Sequence, residues 1–79
     1  MKINIYSIKQ ILFQDEAVSL NAKSIAGEIT ILENHIPFIT ELALGPIKIV
    51  DKNGVTHIIG IESGFLEVKP GEVTVLCRV

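Results

Sequence analysis

Most of what this chain does not do can be read from what it lacks. It has one cysteine, Cys77, so it forms no intrachain disulfide and offers no metal-site cysteine spacing. Its aromatics are only Tyr6, Phe13, Phe38 and Phe65, and seven Lys+Arg against nine Asp+Glu give a net charge of -2. A groove for nucleic acid needs clustered cations under aromatic platforms, and neither is here. Charges interrupt every apolar run well short of the roughly 18 residues of a membrane helix. The opening MKINIYSIKQ alternates like a strand and has no signal-peptide core. The chain therefore reads as cytoplasmic, with no direct membrane span. The glycines are scattered as turn residues and build no phosphate loop. No segment sustains a helical period, and there is no linker or repeat.

What is present is apolar and strand-like. Apolar residues make up 48% of the chain and mean hydropathy is +0.48. Without a span, that surplus suggests that part of it faces a partner; strands buried on both sides are the plainer account. Seventy-nine residues make one domain, residues 1–79. Lys2 to Ile8 reads as a first strand whose phase shifts near Ser7. Ile11-Leu12-Phe13 follow, with Phe13 as a core anchor. Ala17 to Ala22 alternates with Val18 and Leu20 inward. Lys23 to Gly27 is a small-residue turn into Glu28 to Leu32, where Ile29 and Ile31 oppose Glu28 and Thr30. The chain breaks at Glu33-Asn34-His35 and resumes extended before Pro37. Pro37 to Leu44, Ile47 to Asp51, Val55 to Ile61 and Phe65 to Lys69 are further strands. Asn53-Gly54 predicts a two-residue hairpin turn, and Pro70-Gly71 a type II turn. The last strand lines up Val73, Val75, Cys77 and Val79. The fold class is all-β, a small antiparallel β-sandwich or flattened barrel of about eight to ten short strands.

No set of residues assembles an active site. His35 in its polar corner is a general-base candidate with only Glu33 and Glu28 near it in sequence; a surface hydrogen-bonding group is the plainer reading. His57 shares the phase of Val55, Ile59 and Ile61, as a half-buried strand histidine does. Cys77 is a conceivable nucleophile beside a histidine, but its alternation with the valines describes a buried structural thiol. Ser63 lacks a nucleophile-elbow context, and Glu62, Glu67 and Glu72 sit around turns where solvation explains them. No catalytic, cofactor-binding or metal residue is expected. Other classes kept open are a free-standing β-barrel binding module and a small hydrolase using His35 with Cys77.

Three ordered blocks carry a resemblance. KINIYSIKQILFQDEAVSL is similar to the opening strand, turn and second strand of the F-type ATP synthase epsilon subunit family, with Gln14-Asp15 in place of Ser-Gly. GEITILENHIP resembles its corner, G-E-hydrophobic-G-I-L then P-G-H-A-P. ESGFLEVKPGEVTVLCRV resembles its closing G-G-F-L-E-V and V-T-V-L strands. Thr30, Glu33-Asn34, Ile36 and Ser63 depart from the usual pattern at turns and corners. The resemblance implies a β-sandwich and a non-catalytic place in the rotating central stalk. There it would join the gamma subunit to the ring of c subunits, at the cytoplasmic face of the bacterial inner membrane. By position, Ser7, His35, Phe38 and Thr40 would meet gamma, and Ala26, Gly27, Glu28, Ile29 and Thr30 the polar loops of the c ring. With the chain stopping at Val79, the family's inhibitory C-terminal helical hairpin is not expected, nor is the nucleotide binding it supports in some members.

Overall fold

The computed structural model describes residues Met1–Val79. It holds eight strands: β1 (Lys2–Tyr6), β2 (Ile11–Ser24), β3 (Gly27–Leu32), β4 (Phe38–Leu42), β5 (Gly45–Asp51), β6 (Thr56–Ile61), β7 (Ser63–Lys69) and β8 (Glu72–Arg78). The hydrogen-bonded order is β1-β8-β7-β4-β2-β5-β6, with β3 on β2 and β1 closing back onto β2. The all-β architecture matches the sequence reading. One pairing departs from an antiparallel scheme: β1 and β8 run parallel, from Lys2 opposite Glu72 to Tyr6 opposite Leu76. A hairpin cannot make that pair, because the partners come from the two ends of the chain.

Strand β2, 14 residues long, organises the molecule. Its first half pairs with β1 and its second half with β3 and β5, so it belongs to both layers. One layer is β3-β2-β5-β6; the other is β4-β7-β8-β1 with the start of β2. Between them lies one core of 16 buried residues, among them Ile3, Ile5, Leu20, Ile31, Ile47, Ile49, Leu66, Val73 and Val75. Alternation supplies it, since every second side chain of a strand meets the same face.

The bend of β2 corrects one expectation. Opposite β5 the register jumps between Ala17 and Ser19, a bulge that inserts one extra residue. Val18 is that residue; it turns outward, while Ala17, Leu20 and Ala22 stay buried. Alternation counted across a bulge assigns the wrong face.

The β5–β6 connection is a second correction. Gly54 N–H donates to the Asp51 carbonyl at 3.0 Å and Asp51 N–H to that of Val55 at 2.9 Å. Only Gly54 takes a positive φ, 82°, and Asn53 does not. This is a three-residue loop closed by a left-handed glycine. Asp51 selects it: its Oδ1 accepts from the N–H groups of Asn53 and Val55 at 2.8 and 3.0 Å, as aspartate does in an Asx turn.

Elsewhere the strands end sooner than their apolar patterns. β1 stops at Tyr6 and β4 at Leu42, and Val79 lies exposed beyond β8. Pro70-Gly71 makes its turn with Gly71 at φ 74°. Gly64 has a packing reason: a Cβ there would stand 2.7 Å from the Leu76 carbonyl oxygen.

Candidate partner-binding surfaces

The polar corner is held from inside the molecule. His35 N–H donates to the Leu32 carbonyl at 3.3 Å, and Asn34 takes φ 65°, the one non-glycine residue with positive φ. Asparagine tolerates that conformation better than most residues. The Glu33 carboxylate accepts from the Met1 amino group, which also donates to the Ala17 carbonyl at 3.1 Å and lies 3.6 Å from Glu16. The Glu33 hydrogen bond holds the amino pKa above its ordinary 8.0 although burial works against it. His35 is exposed, with Nδ1 3.0 Å from the Ile36 carbonyl and its ring 5.2 Å from that of Phe38. It is the surface hydrogen-bonding histidine that the sequence described.

Thr40 shares the phase of Phe38 and Leu42 and is half-buried. The outward residues of β4 are Ile39 and Glu41. Ser7 sits at the β1–β2 turn, where its N–H donates to Gln10 O at 2.9 Å and its Oγ accepts from Gln10 N–H at 3.3 Å. Strand register puts the Ser7 turn and the β2–β3 turn at one end of the molecule and His35 at the other. Leu42 and Cys77 both pair with Gly64, Ser24 pairs with Leu42, and Cys77 Sγ donates to Tyr6 O at 3.4 Å. Phe38, by contrast, lies on the rung of Val68 and Val73. The four residues assigned to gamma thus span the height of the fold along β4.

The residues assigned to the c ring lie together. Ser24 Oγ donates to the Gly27 carbonyl at 2.7 Å and accepts from Ala26 N–H at 3.1 Å, which shapes the turn. Glu28 and Thr30 point out from β3 and share the amide of Asn21. Ile29 points in and packs against the core.

A surface that the sequence reading missed lies on the outside of β4-β7-β8. Ile39 is 70% exposed, Phe65 58% and Leu76 59%, with Ile8 of the β1–β2 turn 92%. Phe65 is directly opposite Glu41 on β4 and Leu76 on β8. Ile8, Glu41, Phe65, Leu76 and Arg78 line one shallow groove, and Ile39, Phe65 and Leu76 line the next. The signal was there: Phe65-Leu66 and Val75-Leu76 place apolar residues on both phases of their strands, and only one phase reaches the core.

Cys77 and His35 do not come together. The rung of Cys77 is four residues along the sheet from that of Phe38, about 13 Å at the rise of a strand, and His35 lies beyond Phe38. Burial also raises the Cys77 thiol pKa, which disfavours the thiolate. His57 is partly exposed, with Nε2 2.8 Å from Asp51 Oδ2 and its ring edge-on to Phe13 at 5.1 Å. That hydrogen bond is the main cause holding the Asp51 carboxyl below its usual value. No group of three or more His, Cys, Asp or Glu side chains is placed to hold a metal ion, and no helix is long and apolar enough to cross a membrane.

Comparison with known proteins places this geometry. All 79 residues match the family described as ATP synthase, Delta/Epsilon chain, beta-sandwich domain. An ATP synthase epsilon chain of Acinetobacter baumannii (strain SDF) is 41% identical over 76 residues, 96% of this chain and 55% of that protein. One from Natranaerobius thermophilus is 35% identical over 78 residues, 98% of this chain and again 55% of the relative. The chain spans about half the length of the curated relatives it matches. A chain in the Euglena gracilis mitochondrial ATP synthase structure (OSCP/F1/c-ring) superposes with TM-score 0.91 at 19% identity, over 98% of this chain and 49% of that one. A chain in the central stalk/c-ring structure of the Tetrahymena thermophila enzyme gives 0.83 at 15% identity, over 100% and 63%. At such identities the superpositions establish the fold, while the match along the whole sequence establishes membership: this chain belongs to the ATP synthase delta/epsilon family, through its β-sandwich domain.

Proposed function

We propose that residues 1–79 act as one non-catalytic unit of the central stalk of a bacterial F-type ATP synthase. It links the gamma subunit to the c ring at the cytoplasmic face of the inner membrane and couples ion flow to ATP synthesis. It does so as a protein-binding surface, without cofactor or metal. The observation that carries this reading is the stripe of Ile8, Ile39, Phe65 and Leu76, exposed on the outer face of a layer whose inner face already fills the core. Burying roughly 300 Å² of such surface contributes on the order of 7 kcal/mol at about 25 cal/mol per Å², before association costs.

The stripe runs beside Thr40 on β4 and ends at Ile8 next to Ser7. Of the residues assigned to gamma, Ser7 adjoins the stripe directly, whereas Phe38 and Thr40 are half-buried on the other phase of β4 and would meet gamma at the margin of the layer, with His35 beyond Phe38. The c-ring contact then falls to the β2–β3 turn and the outward side chains of β3, Glu28 and Thr30.

The test is co-purification with the gamma subunit of the same organism through gel filtration. Wild type is expected to stay bound, while Phe65→Glu, Thr40→Arg and His35→Glu lose the complex without losing the fold. A folded wild-type chain that does not bind gamma would remove the stalk reading.

A further inference from the structure

Asn21 sits in the middle of the β3-β2-β5 layer. Its Nδ2 donates to Glu28 Oε2 at 3.0 Å and to Thr30 Oγ1 at 2.9 Å. It stands directly opposite Thr30 on β3 and Lys48 on β5. The residue directly opposite Glu28 is Lys23, the natural ion-pair partner, yet the two form no salt bridge. The Lys23 stem instead lies over Gly45, where a Cβ would come within 3.0 Å of its Cδ. Lys48 forms no ion pair with Glu28 either; the salt bridges of the molecule lie at Met1, Asp51 and Glu67. Glu28 is thus oriented by a neutral amide, which donates a hydrogen bond without cancelling the charge. Its other oxygen, Oε1, is in no hydrogen bond within the chain.

We propose that Asn21 is a positioning residue: it holds Glu28 and Thr30 as a preformed acceptor pair with an unpaired charge, matched to a partner loop that presents a cation or an N–H donor. This rests on the reading that Ala26 to Thr30 meet the c ring. Fixing an exposed glutamate before association lowers the ordering cost at the interface. An amide does this better here than lysine, because an ion pair within the chain would have to be broken for the carboxylate to meet a partner's cation.

The experiment is rebinding to epsilon-depleted ATP synthase of the same organism, comparing wild type, Asn21→Asp, Glu28→Gln and the double variant. Melting of each free chain serves as the control for fold. Asn21→Asp keeps the size of the side chain but replaces the donor with a like charge. It is expected to weaken binding about threefold to tenfold, as Glu28→Gln does, while the response to salt shrinks only in Glu28→Gln, which removes the charge. The double variant is expected to be no weaker than Glu28→Gln alone, because Asn21 acts through Glu28. Wild-type binding by Asn21→Asp beside weakened Glu28→Gln would overturn the positioning role and leave the c-ring contact standing. Additive losses would also overturn it, since Asn21 would then touch the partner itself. If none of the three variants changes binding, this face is not the contact and both readings fall.

Discussion

The two outer faces of this small sandwich are built on the same rule and finished differently. On β3-β2-β5 the outward side chains are tied to one another, Asn21 to Glu28 and Thr30, and Lys48 stands beside them. On β4-β7-β8 the outward positions include Ile39, Phe65 and Leu76, and the one ion pair is Lys69 with Glu67 at 3.9 Å. Both faces cover the same core. The first face also exposes Val18, Leu32 and Ile58, so what distinguishes it is the hydrogen-bonded cluster on Asn21, while the second offers a run of apolar area with no such cluster.

The largest expected effect separates the two sides of a single strand. Leu66 is fully buried and its neighbour Phe65 is on the stripe. Leu66→Ala should cost about 2–5 kcal/mol of stability, read from the urea midpoint. Phe65→Ala should cost under about 1 kcal/mol yet weaken gamma binding roughly tenfold or more. Equal stability losses would show that the stripe is structural and dissolve the contrast. Next comes Gly64→Ala, about 1–3 kcal/mol, because the atom in the way is a backbone oxygen that cannot swing aside. Its loss should appear in thermal melting and be absent in Gly60→Ala, where nothing lies within reach of an added Cβ.

The smallest effects are in pH. The Met1 amino group has a raised folded pKa, so its contribution is complete below about pH 8 and lost as pH rises through the folded value. Asp51 has a lowered one. Its contribution is complete above about pH 4 and lost as pH falls through the folded value. Glu33→Gln should flatten the alkaline decline of the melting temperature, and Asp51→Asn the acid one. Neither group lies on the apolar stripe, so Phe65→Ala should leave both limbs unchanged. A variant on the stripe that moved either limb would couple what the structure keeps apart.

Most of the architecture was legible because strand alternation and turn chemistry are local. Cys77 was placed in the core by its valine neighbours, His57 at half burial by its phase, and the corner by Pro37 and the polar triplet before it. What escaped was decided by partners distant in sequence. Val18 faces outward because β5 pairs across a bulge that β2 alone does not announce. The Asn53-Gly54 turn was set by Asp51 accepting from the loop, which overrode the two-residue preference of that dipeptide. The stripe was hidden because it is assembled across strands: Phe65 and Leu76 become neighbours only through the β7–β8 register, and Ile39 joins them from β4. Among the proposed contacts, Glu28 and Thr30 could be read as outward from sequence, whereas the Asn21 amide that binds both needed the β2–β3 register.

The parallel pairing of β1 with β8 also sets the order in which the chain can be finished. Every partner from Glu72 to Leu76 is synthesised long after β1. At ~5–20 residues per second the ribosome takes about 3–13 s to pass from Tyr6 to Glu72. During that interval β1 can form only its hairpin with β2, and the edge later covered by β8 stands open with Ile3 and Ile5 unburied beside it. Strand β8, made after the other seven, is the one that closes the first, so a nascent chain stalled before β8 would present an adhesive edge to its neighbours.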